Sequence, residues 1–244
     1  MQPEKKQLEI LLINYFRECF TEFPKGSIIP SESPDFIIKL KSRNSLGIEL
    51  TRLNPCDAKV PDQSDIEQIE LRENIIGTAK NIFENSSPLK LFVKFSFSET
   101  YPVSSEKELI NAVKAADRIR MTTQNINPGR LFFKTIADPD NESGKTLIAS
   151  HPALKYSVWE RSDNLGISEN INADIIASIQ KKEEKLRLYQ KQRLNYYWLI
   201  ITTDLLHGLN NHDLTHSAGE NSFNSHFQHI FLFDIIKPKI YQLL

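Results

Sequence analysis

Near the start of the chain apolar residues recur at three-and-four spacing. Leu8, Leu11, Leu12, Tyr15, Phe16, Cys19 and Phe20 fall on one face of a helix that Pro24 and Gly26 bring to a stop. The period then changes to two. Phe36, Ile38 and Leu40 alternate with Asp35, Ile37 and Lys39, and Ile48 and Leu50 with Gly47, Glu49 and Thr51, so residues 28–51 read as two or three short strands. The polar run 41–45 reads as the turn of a hairpin. A second helix is expected from Ser64, with Glu67 completing a capping box. It continues through Ile66, Ile69, Ile75, Ile76, Ala79, Ile82 and Phe83. Residues 89–97 alternate as a strand. Ser105 followed by Glu108 opens a third helix, which should end before the Asn-rich stretch 124–129.

Two weaker strands, 131–136 and 156–160, flank a stretch at 138–144 that reads as a loop. A long helix over about 172–192, charged over most of its surface, precedes residues 196–203, an unbroken apolar run suited to the middle of a sheet. Residues 207–224 are polar and rich in Gly, Asn and His, the composition of a long loop or lid. Two strands, 230–236 and 240–243, close the chain. This order predicts an α/β or α+β fold around a central mixed sheet flanked by helices. Without a repeat, a heptad or a clear linker, a single domain over 1–244 is the expectation.

Composition narrows the class. The chain has 244 residues, 40% of them hydrophobic and 25% charged, as in an ordinary globular protein. Lys plus Arg is 30 and Asp plus Glu 31, a net charge of -1, which argues against a strongly basic nucleic-acid binder but leaves room for a local basic groove. Two cysteines, Cys19 and Cys56, cannot build a disulfide scaffold or a four-thiolate metal site. No apolar run approaches the roughly 20 residues that cross a bilayer. The first residues are polar, so a soluble cytoplasmic protein with no membrane partner is expected.

Pairing the hairpin symmetrically about Ser42 sets Phe36 opposite Ile48 and Asp35 opposite Glu49. Alternation then gives one apolar face (Phe36, Ile38, Ile48, Leu50) and puts Asp35, Glu49 and Thr51 on the other. Facing carboxylates repel unless a hard divalent cation lies between them. The plainer alternative is a shifted register, or one acid facing solvent beside Lys39 or Arg52.

Ser33-Pro34-Asp35-Phe36, a polar turn, then Gly47-Ile48-Glu49-Leu50-Thr51 behind an amphipathic helix resembles the core of the PD-(D/E)xK nuclease-like superfamily, which has the restriction endonuclease-like three-layer fold. The resemblance covers about residues 4–97, with 104–244 as additional helix–strand elements. It implies a metal-dependent endonuclease acting on DNA, with Asp35 and Glu49 as ligands of Mg²⁺ or Mn²⁺, the Leu50 carbonyl as a further ligand, and Glu9 (or Glu4) on the leading helix completing the shell. Cutting both strands often uses two active sites, so a homodimer is compatible with it. No organic cofactor is implied.

The pattern breaks at one position: Thr51 stands where the family has lysine, and a hydroxyl supplies no positive charge. Some members are thought to carry that lysine on another element. Lys182 and Lys185, in Gln180-Lys181-Lys182-Glu183-Glu184-Lys185-Leu186, can share a helix face with Tyr189, and Lys39 lies on the Asp35 face two alternations along. The competing reading of 172–192 is a solvated helix laced with Glu–Lys pairs. A second alternative is a nuclease-like domain that no longer cuts and binds nucleic acid or a protein partner. A third is an accessory protein whose carboxylates are incidental.

Other constellations are weaker. His207, His212, His216, His226 and His229 have neither a His-Glu-x-x-His nor a finger spacing, and fit a surface loop better than a zinc site. Gly144-Lys145-Thr146 has only the last letters of a phosphate loop. Basic residues gather at 181–193, 118–120 and 90–94 as potential phosphate contacts.

Overall fold

The computed structural model describes residues 3–53, 62–97, 102–138, 141–162, 171–189, 194–203 and 225–244. Its elements run α1 (Pro3–Cys19), β1 (Gly26–Pro30), β2 (Phe36–Leu40), β3 (Ser45–Arg52), α2 (Gln63–Ser86), β4 (Phe92–Ser96), a 3₁₀ turn (Ser105–Lys107), α3 (Glu108–Thr123), β5 (Phe132–Asp138), β6 (Asn141–Ser150), β7 (Val158–Arg161), α4 (Ile171–Tyr189), β8 (Tyr196–Thr203), β9 (His229–Asp234) and β10 (Lys239–Gln242). This is the mixed α/β class the hydrophobic periods predict. Among the described residues the strands form two mixed sheets, and no helix is long and apolar enough to cross a membrane.

The chain divides into two compact units, Met1–Leu11 with Lys59–Leu165, and Leu12–Ala58 with Gly166–Leu244. In sequence the first interrupts the second, so no single cut separates them. That is why a search for one linker finds none.

The second unit holds a six-stranded sheet in the order β1-β2-β3-β8-β9-β10. The hairpin forms in the expected register, Phe36 opposite Ile48, and β3 then pairs in parallel with β8, Glu49 beside Leu199 and Thr51 beside Ile201. Thus β3 has β8 as its second neighbour, while β4 lies in the other sheet. One face of the sheet meets the later turns of α1. Phe16, fully buried, packs edge-on against Phe231 and Phe233 at 5.3 and 5.5 Å, and Tyr15 Oη donates to the Ile235 carbonyl at 3.0 Å. The opposite face buries Leu199, Ile201, Ile230 and Leu232 with Ile175, Ile179 and Leu186 of α4.

The first unit holds the four-stranded sheet β5-β6-β4-β7. Helices α2 and α3 cover one face, with Ile75, Ala79, Phe83, Ala112, Ala116 and Ile119 packed on Val93, Phe95, Ile148 and Trp159. Three local expectations change here. The capping box of α2 is made by Asp62 and Asp65, not Ser64 and Glu67, because each of those acids accepts the other's backbone N–H. α3 begins at Glu108, after the 3₁₀ turn, with no side-chain cap. Residues 141–150, unassigned or read as loop from sequence, form β6 between β4 and β5. Its polar start (Asn141-Glu142-Ser143-Gly144) hides the strand, which is held by pairing on both edges. The expected 207–224 loop lies outside the described residues.

Candidate functional site

Strand β3 runs past the start of β2. Pairing between them ends at Phe36–Ile48, whereas β3 continues to Arg52. The N–H and C=O of a strand residue point to the same edge, so Leu50 presents both towards the side where β2 has run out. Side chains take over from the missing strand. The Leu50 N–H donates to Asp35 Oδ2 at 2.8 Å, and the Leu50 carbonyl accepts from Lys182 Nζ at 3.3 Å. Gly47 lets the chain approach closely: a Cβ there would stand 2.7 Å from Pro34 Cγ and 2.9 Å from Leu194 Cδ1.

Glu49 shares its face of the sheet with Leu199, the face that α4 covers. Its carboxylate is 2% exposed and receives Lys182 Nζ on Oε2 at 2.7 Å. The helix phase explains why Lys182 is the lysine that arrives. Taking the line of Ile175, Ile179 and Leu186 as the buried axis, about 100° per residue puts Lys182 about 40° off it and Lys185 about 100° off. Lys185 is accordingly exposed, and Lys181 with it. Lys39 is exposed at the other end of β2, paired with Ser45 and Ser27. Glu9 is buried in the part of α1 that groups with the first unit, and pairs with Lys6 at 3.1 Å and Lys5 at 3.8 Å. The side chains of Glu4 and Tyr189 lie outside what is described.

One residue on from Lys182, Glu183 organises the approach to β9. Its Oε1 accepts from the Ser225 hydroxyl and, at 2.8 Å, from the His226 N–H, while Oε2 meets His226 Nδ1 at 2.9 Å. Partial burial opposes the charged form, but these hydrogen bonds outweigh it and hold the carboxyl below its ordinary pKa. Sequence reasoning missed this contact because its partners lie more than forty positions apart. It also missed the Leu50 N–H as the anchor of Asp35. The signal was there: a hairpin strand followed by residues with no partner on the first strand.

Several other candidates take structural roles. His229 sits against Trp198 at 5.2 Å, and Trp198 belongs to an aromatic cluster with Phe20, Phe23 and Phe231. His207, His212 and His216 lie outside the described residues. Among the smaller basic patches, Lys94 is buried against Glu160 at 2.8 Å, Arg120 pairs with Asp117 at 2.8 Å, and Lys90 lies 3.8 Å from Glu84.

Among the described residues no group of three or more His, Cys, Asp and Glu side chains is placed to hold a metal ion. A cation beside Asp35 and Glu49 would therefore need the Leu50 carbonyl, water and substrate oxygens to complete its shell. All of these are hard oxygen donors; Glu49 lies on β3, whereas Asp35 stands in the bend just before β2, so the expected cross-strand pairing of Asp35 with Glu49 is not part of the ladder. Comparisons of the chain with protein-family models, with curated proteins and with solved structures return no match.

Proposed function

We propose that the second unit carries a metal-dependent phosphodiester hydrolase site acting on DNA, of the PD-(D/E)xK nuclease-like kind. Asp35, Glu49 and the Leu50 carbonyl would hold Mg²⁺ or Mn²⁺, and Lys182 would replace the motif lysine absent at Thr51. The observation that carries this is the double contact of Lys182 with Glu49 Oε2 (2.7 Å) and the Leu50 carbonyl (3.3 Å), which brings an ammonium from α4 to the residues the motif surrounds. Of the helix, hairpin, helix, strand order on which the resemblance rests, the hairpin lies in the second unit, whereas α2 and β4 belong to the first unit and its separate sheet.

A divalent cation bound there would supply an acidified water and offset charge on the scissile phosphate. The chain's own part is orientation and charge. The Leu50 N–H fixes the Asp35 carboxylate, β3 and α4 shield Glu49 from bulk water, and the Lys182 ammonium offsets charge developing on phosphate oxygens. Lys185 has no part in the chemistry.

Calorimetry with Mn²⁺ on wild type and Asp35→Ala, followed by plasmid cleavage in Mg²⁺ by wild type, Glu49→Ala and Lys182→Ala, tests the reading. Saturable Mn²⁺ binding lost in Asp35→Ala, and cleavage reduced at least a hundredfold by either other change, are expected. No Mn²⁺ binding by wild type with or without DNA removes the proposal. Cleavage unaffected by Glu49→Ala means the site is elsewhere.

The same ion pair favours a second reading. Lys182 already satisfies Glu49 Oε2 and the Leu50 carbonyl without any cation, as in a nuclease-like domain that binds nucleic acid or a protein partner and does not cut. That reading predicts DNA or protein binding indifferent to EDTA.

A further inference from the structure

The tip of the β2–β3 hairpin, at the end away from Asp35, concentrates positive charge. Residues 36–48 contain Lys39, Lys41 and Arg43 and no acid. The register adds a fourth cation: Gly26 opens β1 opposite Leu40, so Lys25 stands next to Lys41. All four side chains are exposed. Among the described residues none of them enters an ion pair or a side-chain hydrogen bond. The cross-strand neighbours show why for Lys39, which is flanked by Ser27 and Ser45 and meets no opposite charge there. Of the acids that bound these segments in the chain, Glu32, Asp35 and Glu49 lie towards the opposite end of the hairpin, and Glu22 is exposed three residues before Lys25.

The turn holds one of these cations in an unfavourable backbone state. The Leu40 N–H donates to the Asn44 carbonyl at 3.0 Å and the Arg43 N–H to the Leu40 carbonyl at 3.3 Å, which closes the tip with Arg43 at φ 64°. That is the left-handed region, where glycine or asparagine is less strained than arginine. A turn needed only to reverse the chain would carry one of those two there. Strain kept at an exposed arginine points to a use for its side chain.

The chemistry of the patch selects its partner. A chain of net charge -1 can hold a polyanion only where cations gather and acids are kept away. A lipid surface or a protein partner would also need apolar side chains to bury. Among the described residues none of the exposed large hydrophobics falls on 25–27 or 39–45. Lysine and arginine beside Ser42 and Asn44 suit phosphodiester oxygens. We infer that the hairpin tip grips the backbone of duplex DNA through Lys25, Lys39, Lys41 and Arg43. The length of β2 fits this use: Phe36 to Leu40 spans about 14 Å, the rise of about four base pairs. A duplex with a phosphate beside Asp35 and Glu49 can therefore reach the tip within half a helical turn. The choice of DNA as partner rests on the hydrolase reading, whereas the charge and exposure of the tip do not.

The test uses the full chain in EDTA, which prevents cleavage. Binding of a fluorescent 30-bp duplex of mixed sequence is followed by anisotropy at several NaCl concentrations. Wild type is compared with Lys39→Gln/Lys41→Gln/Arg43→Gln and with a charge-matched control, Lys107→Gln/Lys155→Gln/Lys237→Gln, whose three positions are also exposed. Four phosphate contacts predict a slope of log affinity against log salt of about -3.5 in wild type and about -1 in the tip variant. At about 50 mM NaCl the tip variant should bind at least tenfold more weakly than wild type, and the control within threefold of it. Acetylation footprinting of wild type supplies a second readout that needs no variant: the duplex should protect Lys25, Lys39 and Lys41 and leave Lys107, Lys155 and Lys237 reactive. No duplex binding, a tip variant within threefold of the control, tip lysines left reactive, or polyglutamate held by the tip in preference to the duplex overturns the inference. The two proposals fail separately. A duplex held by the tip but never cut in Mg²⁺ removes the hydrolase alone, and cleavage in Mg²⁺ with no footprint on the tip removes this inference alone.

Discussion

Replacing Lys182 with methionine keeps the length and apolar stem of the side chain and removes its charge. At 2.7 Å and an effective dielectric of about 20, the attraction to Glu49 is about 6 kcal/mol before desolvation is subtracted. Burial is substantial on both sides: the Glu49 side chain is 2% and the Lys182 side chain 12% exposed. Removing one partner strands a carboxylate in the protein, which typically costs about 3–5 kcal/mol, and the Leu50 carbonyl loses a donor worth about 1 kcal/mol. Urea unfolding at pH 7.5 should show Lys182→Met destabilised by about 3–4 kcal/mol, against a change within about 0.5 kcal/mol for the exposed comparator Lys185→Met. Glu49→Gln/Lys182→Met should recover at least half of the loss, a coupling of about 2 kcal/mol in the double-mutant cycle. A loss below about 1 kcal/mol in Lys182→Met, or a coupling near zero, would refute the placement of Lys182 on Glu49.

Two further outcomes follow from shifted proton affinities. Burial, then the neighbouring Glu18 charge, pushes the Cys19 thiol up to about 11. At pH 8 only about 0.1% is thiolate, so in a Cys56→Ser background iodoacetamide should label Cys19 about a hundredfold more slowly than a free thiol with pKa about 8.5; labelling as fast as glutathione contradicts the burial. Glu183 has a depressed carboxyl pKa, so its stabilisation is present above the unfolded value of about 4.3 and is lost as pH falls through the folded value. The stability gap between wild type and Glu183→Gln should shrink as pH falls below about 4.3, and a gap as wide at pH 3 as at pH 5 counts against the Ser225–His226 clamp.

The sequence alone determined the local elements whose signal is periodic. The apolar stripe of α1, the alternation of β2 and β3, their register and the unbroken run of β8 depend on neighbours a few positions apart. Burying one face then fixes which residues turn inward. The same logic turned Glu49 to the face opposite Phe36 and Ile48, whereas Asp35 falls before β2 and its carboxylate goes to the Leu50 N–H. Tertiary structure decided which strand completes the sheet, since parallel pairing of β3 with β8 joins segments about 150 positions apart and leaves no local mark. It also chose between Lys182 and Lys185. Both are charged residues on one amphipathic helix, and only the face that α4 lays on Leu199 and Ile201 turns one of them towards Glu49 while the other stays in water. The strand β6 was hidden for a related reason: its first residues are polar, and its place is secured by backbone bonds to β4 and β5 that any residue type can make.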